Sequence, residues 1–432
     1  MKPNAPRLWL LVMGLAIVPG GHLPAALVQH VVHVSLDGLG GTYLQFYVTN
    51  APEQFPNFAR LVNEGAFTFN ARCDFGASET IPNHITMFTG RPSLQPIGAP
   101  NTTHHGYINN FPFASDTIHN SGNLAVPYKA SFFDVAHDFG LSTAFYAGKY
   151  KLAICDRSYD TSTGTADVTG DDNGLDKIDL GSVPPNFQNV GGEAGVSNQV
   201  SFVISNLSSA TPTRYTFVHL AEPDLTGHTL VWGSLEWSNM VRVVDQQLGR
   251  ILQTIDENPA LSNDTALIVT SDHGGFDAGH SRPEFLLTYT IPFFLRAPGI
   301  PRGVDLHALF SNRADPGTNR TDYATVPQPI RNGDSGNIAL HLLGLPPIPG
   351  SFIVPVFGVT NVTMNIAQAT NGAPTIWWPE SASAFALEFA DSLNPATQWQ
   401  PVTNGVLNNG GMLVFTDTNA GATNRFYRLR KL

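Results

Sequence analysis

Four short stretches of the chain hold side chains that can do chemistry. They are Asp37-Gly38, the run Ser78-Glu79-Thr80-Ile81-Pro82-Asn83-His84, Asp224 with His228, and Asp272-His273-Gly274, with His280 just beyond. Aspartate, histidine and a hydroxyl are the donors that a borderline divalent cation such as zinc accepts. So many candidates in one chain favour two ions over one. Two ions about 4 Å apart suit phosphoryl transfer, because one activates a nucleophile while the other steadies the leaving oxygen. A threonine hydroxyl is a weak nucleophile near neutral pH. Coordination to a cation lowers its pKa, so Thr80 needs no neighbouring base. The chain has no Gly-x-Ser-x-Gly elbow that would signal a serine triad instead. Taken alone, Thr80 before Ile81-Pro82 also reads as a helix cap, and Asp37-Gly38 also reads as a plain turn.

The elements that must position these residues show in the hydropathy pattern. Residues 31–36, 213–220 and 265–270 are apolar, β-branched runs of the buried-strand type, and Asp37, Asp224 and Asp272 follow their ends. Parallel strands with helices between them bring such ends to one rim, where open α/β sheets place ligands. Further strands are predicted at 66–71, 142–146 and 288–295. Helices are predicted at 55–65, 85–88, 130–139, 200–207, 234–255 and 335–343. The helix over 234–255 carries Val241, Val244, Leu248, Ile251, Leu252 and Ile255 as a buried stripe. Residues 92–195 include long Gly-rich loops that should wall the pocket. Lys149, in Gly148-Lys149-Tyr150-Lys151, either meets an anionic substrate or lies solvated on the surface. His104 and His105 are adjacent and so do not share a face in regular structure, which makes them poor joint ligands.

In order along the chain, Asp37-Gly38, Thr80-x-Pro82-Asn83-His84, Asp224-x-x-Gly227-His228, Asp272-His273-Gly274 and Gly279-His280 together resemble the alkaline phosphatase superfamily. The set is most similar to the type I phosphodiesterase/nucleotide pyrophosphatase branch, over roughly residues 31–345. The resemblance implies an α/β fold with a mostly parallel central sheet flanked by helices. It implies that Thr80 is the catalytic nucleophile, that Asp37, Thr80, Asp272 and His273 hold one zinc, and that Asp224, His228 and His280 hold a second. Asn83 and the Thr80 backbone are implied to cradle the charge that develops on the phosphoryl group. His105-Gly106 and Asn109-Asn110 also resemble the branch, and a structural role is expected for them. One departure concerns His280. In this branch the last zinc histidine lies far downstream of Asp-His-Gly, whereas the short spacing here is more like phosphomutase and sulfatase-like relatives, so His307 and His341 stand as substitutes. The Cys-x-Pro-x-Arg of sulfatases is absent, with Thr80 and His84 in its place. No arginine stands out to clamp a phosphate dianion, and Arg91 reads as structural. The implied substrate is therefore a small phosphodiester or pyrophosphate. The alternatives are a phosphomonoesterase or phosphonate hydrolase, and, outside enzymes, a non-catalytic surface-binding relic.

The 432 residues are 42% hydrophobic and 13% charged, with a net charge of −11, which suits one large folded domain and one small one. The acidic balance gives no support for a nucleic-acid polymer as partner. It leaves room for a small anionic substrate, since a metal pair supplies positive field locally. Lys2, Arg7, the apolar run 8–18 and the small residues Ala25-Ala26 predict a secretory signal over 1–26, and hence a secreted or periplasmic protein. That run is too short to span a bilayer, so no membrane span is expected after cleavage. A catalytic domain is expected over 27–349. Over 350–432 helix patterns give way to short alternating runs between Asn-Gly and Gly-Gly turns, which predicts a linker and a small sandwich-like all-β domain. Its role is open between surface anchoring, glycan contact through Trp377 or Trp378, and stabilisation. Cys73 and Cys155 either pair or are two buried thiols.

Overall fold

The computed structural model describes residues 26–162, 164–165, 175–185, 187–358, 364–368, 373–379, 385–393, 397–409, 412–418 and 425–431. The expected signal segment, apart from Ala26, lies outside them. The central sheet contains β1 (His30–Leu36), β2 (Ala66–Arg72), β3 (Thr143–Ala147), β4 (Leu180–Ser182), β5 (Tyr215–Leu220), β6 (Thr265–Ser271), β7 (Thr290–Arg296) and β8 (Val304–Asp305). Their order across the sheet is β4-β3-β5-β1-β6-β7-β2-β8. β1 runs parallel to both neighbours, β5 and β6, and β3 runs parallel to β4 and β5. β7 is antiparallel to β6 and to β2. The sheet is thus mostly parallel, as expected.

The middle strands are apolar throughout because both of their faces are covered. Val32, Val34 and Leu36 of β1 share one core with Leu44, Phe58, Val200, Val241 and Leu248 from helices on that side. Val31 shares the other core with Ile81, Ile85, Phe132 and Ile338. Residues alternate between faces along a strand, so a central strand serves two cores at once. Each fully buried Val, Leu, Ile or Phe contributes on the order of 1.5–3 kcal/mol. The helix Leu235–Glu257 buries all six residues of its predicted stripe, and the Ser234 hydroxyl caps it by accepting from the Trp237 N–H at 3.1 Å.

Several elements exceed the sequence expectation, among them two helices. The helix Gly192–Leu207 begins eight residues before the predicted start at 200. Its first turn is Gly-rich, and packing of Val196, Val200, Val203 and Leu207 overrides that weak propensity. The helix Gly41–Asn50 was not anticipated, because only Gly41, Leu44 and Val48 are buried along it.

Beyond residue 364 lie two small antiparallel sheets. One contains Asn365–Gln368, Pro374–Pro379, Leu407–Asn409 and Met412–Thr416; the other contains Phe385–Ala390, Gln400–Pro401 and Phe426–Lys431. They share a core of Ile376, Trp378 and Leu387, which makes the unit sandwich-like and spends Trp378 on packing. Residues just past 350 lie on the large core, where the N–H groups of Phe352 and Ile353 both donate to the Gly90 carbonyl at 2.8 Å. Cys73 and Cys155 are buried free thiols. Among the described residues no helix is long and apolar enough to cross a membrane.

Candidate active site

The register of the three middle strands builds the site. Leu36 lies opposite Leu220 of β5 and Ser271 of β6. One residue further, Asp37 and Asp272 leave the sheet side by side, and Asp224 opens the helix Asp224–Leu230 after β5. That helix places Asp224 and His228 on one face by their i,i+4 spacing. Gly38 makes the convergence possible. It has φ +74°, and a Cβ there would sit 2.8 Å from the Cβ of Asp224. Only glycine permits both that conformation and that approach.

All three carboxylates are fully buried, and each has one oxygen anchored and one left bare. Asp37 Oδ2 accepts from Lys149 Nζ at 2.7 Å and from His219 Nε2 at 2.8 Å. Asp224 Oδ2 accepts from the same Lys149 Nζ at 2.5 Å. Asp272 Oδ1 accepts from the N–H groups of Gly38 and His273 at 3.0 and 2.8 Å. Asp37 Oδ1, Asp224 Oδ1 and Asp272 Oδ2 have no hydrogen-bond partner, and neither does His273 Nε2.

The histidine tautomers follow from their partners. Nδ1 of His273 meets the Gly274 carbonyl at 2.8 Å, Nδ1 of His280 meets the Ser78 carbonyl at 2.7 Å, and Nδ1 of His228 meets the Ala278 carbonyl at 3.1 Å. A carbonyl only accepts, so each Nδ1 carries the proton and each Nε2 presents a lone pair. The Nε2 atoms of His228 and His280 face each other at 3.1 Å and lie 3.5 and 3.6 Å from Asp224 Oδ1. Burial, and then the neighbouring His273, push His280 down to about 3, so its ring is neutral.

Bare lone pairs crowded in this way repel one another unless a cation lies between them. The residues present therefore fit a metal. Asp37, Asp272 and His273 form one ligand-competent group, and Asp224, His273 and His280 form another, all buried. His228 is 43% exposed and stands at the mouth beside the second group. His307 pairs with Asp305, and His341 stacks on Phe357, so neither substitute joins the cluster.

Thr80 is the first residue of the helix Thr80–Thr89, where first-turn N–H groups lack intrahelical acceptors and the dipole favours negative charge. Its Oγ1 accepts from Lys151 Nζ at 2.9 Å. Its carbonyl is held by His84 Nδ1 at 2.7 Å, and His84 Nε2 in turn accepts from the Ser35 hydroxyl at 3.0 Å.

A family model described as "Type I phosphodiesterase / nucleotide pyrophosphatase" matches residues 31–111 and 132–291, more than half of the chain. The chain belongs to that family. It thereby belongs to the alkaline phosphatase superfamily. It is 25% identical over 295 residues to ectonucleotide pyrophosphatase/phosphodiesterase family member 7 of Rattus norvegicus, covering 66% of this chain and 60% of that protein. A 99-residue segment is 36% identical to an extracellular sulfatase Sulf-1 homologue of Caenorhabditis elegans, covering 21% of this chain and 14% of that one. The chain thus spans less than two thirds of the length of either relative. Among solved structures, Ps i-CgsB in complex with a neocarrahexaose superposes with a TM-score of 0.50 at 13% identity, over 87% of this chain and 86% of that one, a likeness of fold.

In this type I phosphodiesterase family member, three polar side chains depart from the sequence expectation. Asn83, expected to cradle the phosphoryl charge, has its whole amide committed. Its Oδ1 accepts from the Asp74 N–H and from Asn332 Nδ2, both at 2.8 Å, while its Nδ2 donates to the Ala77 and Glu79 carbonyls at 3.0 Å. It braces the Thr80 turn and has nothing left for a ligand. The amide beside the Thr80 turn is that of Asn110, whose Oδ1 accepts from the Ile81 N–H at 3.1 Å and from Lys151 Nζ at 3.2 Å. Lys149 neither lies on the surface nor faces a substrate, but bridges two carboxylates inside the site. Those carboxylates outweigh the burial that would lower its pKa and raise it above the usual lysine value.

Burial by itself would raise Asp37, but Lys149 and the His219 N–H outweigh it and hold that carboxyl below the usual range. Asp272, buried and next to Asp37, is pushed well up. Burial, and then the charge of Lys149, push Lys151 down to about 8.

His219 was not singled out from the sequence. Its Nδ1 accepts from the Gly148 N–H at 3.1 Å, so its Nε2 is the donor to Asp37. The available signal was a histidine inside an apolar strand, where a buried ring needs a polar partner. Arg91 is structural, as expected: its guanidinium holds the Thr102 carbonyl at 2.6 Å. His105 also plays a packing role, with Nε2 3.1 Å from Thr86 Oγ1.

Proposed function

We propose that the protein is a secreted or periplasmic phosphoric diester hydrolase that cleaves small phosphodiesters or pyrophosphates through attack by Thr80. Family membership supports the reaction class. The observation that carries the mechanism is the convergence of three partnerless carboxylate oxygens with the Nε2 lone pairs of His228, His273 and His280. Thr80 is linked to them through His84, whose Nδ1 lies 2.7 Å from the Thr80 carbonyl and 3.7 Å from Asp272 Oδ2. Two divalent cations, with zinc suited by the Asp/His donor set, would be held by Asp37, Thr80, Asp272 and His273 and by Asp224, His228 and His280, and would supply Lewis acidity toward the hydroxyl and the phosphoryl oxygens.

The chain's own groups do the rest. Lys149 and His219 fix Asp37, and Lys149 also fixes Asp224, so each turns a single oxygen inward. Thr80 Oγ1 forms a bond to phosphorus as the bond to the leaving oxygen breaks, and the hydroxyl proton passes to solvent. Attack of water on phosphorus then breaks the bond to Oγ1, releases a phosphate monoester that keeps the remaining substituent, and returns a proton to the threonine hydroxyl. The Thr80 N–H and the helix terminus behind it meet the negative charge that builds on the phosphoryl oxygens. The basic, apolar and small-residue pattern over 1–26 supports export.

The test is hydrolysis of bis-p-nitrophenyl phosphate by zinc-loaded protein, with bound metal measured in parallel. Thr80→Ala is expected to lower kcat at least about a thousandfold, in line with loss of a catalytic nucleophile, while most of the metal is kept. A Thr80→Ala protein with full activity removes the nucleophile assignment, and a fully active protein free of metal removes the metal assignment.

A further inference from the structure

Lys151 is a cation of the site that, among the described residues, no carboxylate answers by an ion pair. Lys149, two residues earlier, is saturated by Asp37 and Asp224. Among the described residues Lys151 pairs with no carboxylate; its partners are the Thr80 hydroxyl at 2.9 Å and the Asn110 amide oxygen at 3.2 Å. A buried or half-buried ammonium is normally paired with an anion. Here two neutral oxygens hold it, and one of them is the proposed nucleophile. A phosphorus bonded to Oγ1 carries its remaining oxygens one bond angle away from that atom, within reach of an ammonium already in hydrogen-bond contact with it. Arg91, the nearest sequence candidate for an anion clamp, is tied to backbone carbonyls. The turn Tyr150–Leu152 therefore supplies, through Lys151, a cation that Arg91 does not.

We propose that Lys151 is a catalytic residue that binds a non-bridging phosphoryl oxygen at Thr80, and that it biases this site toward phosphoryl groups bearing two ionised oxygens. The inference rests on the reading of Thr80 as nucleophile and deepens it. It makes a phosphoryl dianion, as in a monoester, a better substrate than the family's name suggests. A diester, with one ionised oxygen and an ester group in the other place, gains less from the lysine. Asn110 holds the ammonium in place and, through the Ile81 N–H, ties it to the first turn of the Thr80 helix.

The test compares wild type, Lys151→Met and Lys151→Arg, all zinc-loaded, on p-nitrophenyl phosphate and bis-p-nitrophenyl phosphate. It also measures the binding of inorganic phosphate by calorimetry. Removal of one preorganised donor at a developing charge typically costs about 10²–10³ in rate. Lys151→Met is expected to lose that much in kcat/KM on the monoester and tenfold or less on the diester. It should also bind phosphate at least tenfold more weakly at unchanged metal content. Lys151→Arg should recover part of both losses. Equal losses on the two esters, no loss on either, or unchanged phosphate binding overturns the proposal. Should wild type hydrolyse neither ester, the reading of function fails, while the phosphate measurement still decides the role of Lys151. Lys151→Gln serves the same comparison if the Met variant does not fold.

Discussion

Replacing Lys149 by Met removes a single ammonium from between two buried carboxylates. Its Nζ lies 2.7 Å from Asp37 Oδ2 and 2.5 Å from Asp224 Oδ2, and both carboxyl groups are almost wholly shielded from water. Methionine is of similar length and keeps the packing, so the loss is electrostatic. Removing one partner of a buried ion pair costs about 3–5 kcal/mol, because the remaining charge stays buried without compensation. Here two carboxylates are stranded together, which puts the metal-free protein at the upper end of that range. Divalent cations bound at the free oxygens of the same carboxylates replace the missing positive charge, so the metal-loaded protein loses much less. The assay is urea unfolding followed by tryptophan fluorescence, for wild type and Lys149→Met, each in chelator and in zinc. The expected result is a loss of about 3–5 kcal/mol in chelator and less than half of that in zinc. A loss under about 1 kcal/mol in chelator, or equal losses in the two conditions, refutes the view of Lys149 as the internal counter-charge of the buried carboxylate cluster.

Two further perturbations are specific. Burial pushes the His33 imidazole down to about 3, its ring packed against Phe132 and Phe217. The folded protein keeps that ring neutral while the unfolded chain protonates it below about 6.5, so its contribution is whole above that pH and is lost as pH falls toward 3. Wild type should lose about 1.4 kcal/mol per pH unit from this group between pH 6 and 4, and His33→Leu should flatten the urea-unfolding curve of stability against pH by that amount. Parallel curves would contradict the assignment. Gly38→Ala forces a β-carbon to within 2.8 Å of Asp224 Cβ at φ +74°. It should cost about 1–2 kcal/mol for the backbone alone and lower zinc stoichiometry by parting Asp37 from Asp224, as read by metal analysis. A variant that keeps both stability and full zinc content would show that the contact is not needed.

Much of the site was legible because its members sit at the ends of strong signals. Asp37, Asp224 and Asp272 close three apolar runs, and any parallel arrangement of those runs brings them to one rim. His228 and His280 also join the cluster, although the short spacing of His280 from Asp272-His273 had pointed to His307 and His341 as rivals. That rivalry was settled by the Ser78 carbonyl, which orients His280 from a segment about two hundred residues away in sequence. The amide and lysine roles were misread for a related reason. Asn83 and Lys149 stand in motifs that draw attention, but hydrogen-bond saturation by Asp74, Asn332 and the two carboxylates is invisible without neighbours in space. Asn110 and Lys151 lie in stretches without periodicity, and there only the fold states what a side chain touches.

By itself, the sequence determined the alternation of buried strands and amphipathic helices, the mostly parallel sheet that follows from it, the family, and the kinds of donor atom at the rim. These depend on local composition and on periods of two and 3.6 residues, which are written along the chain. Only the tertiary structure decided which oxygen of each carboxylate is free, which imidazole nitrogen is bare, and which of two lysines meets the Thr80 hydroxyl. Those outcomes turn on distances of 2.5–3.5 Å between residues far apart in the chain, and such distances exist only once the strands have been laid in register.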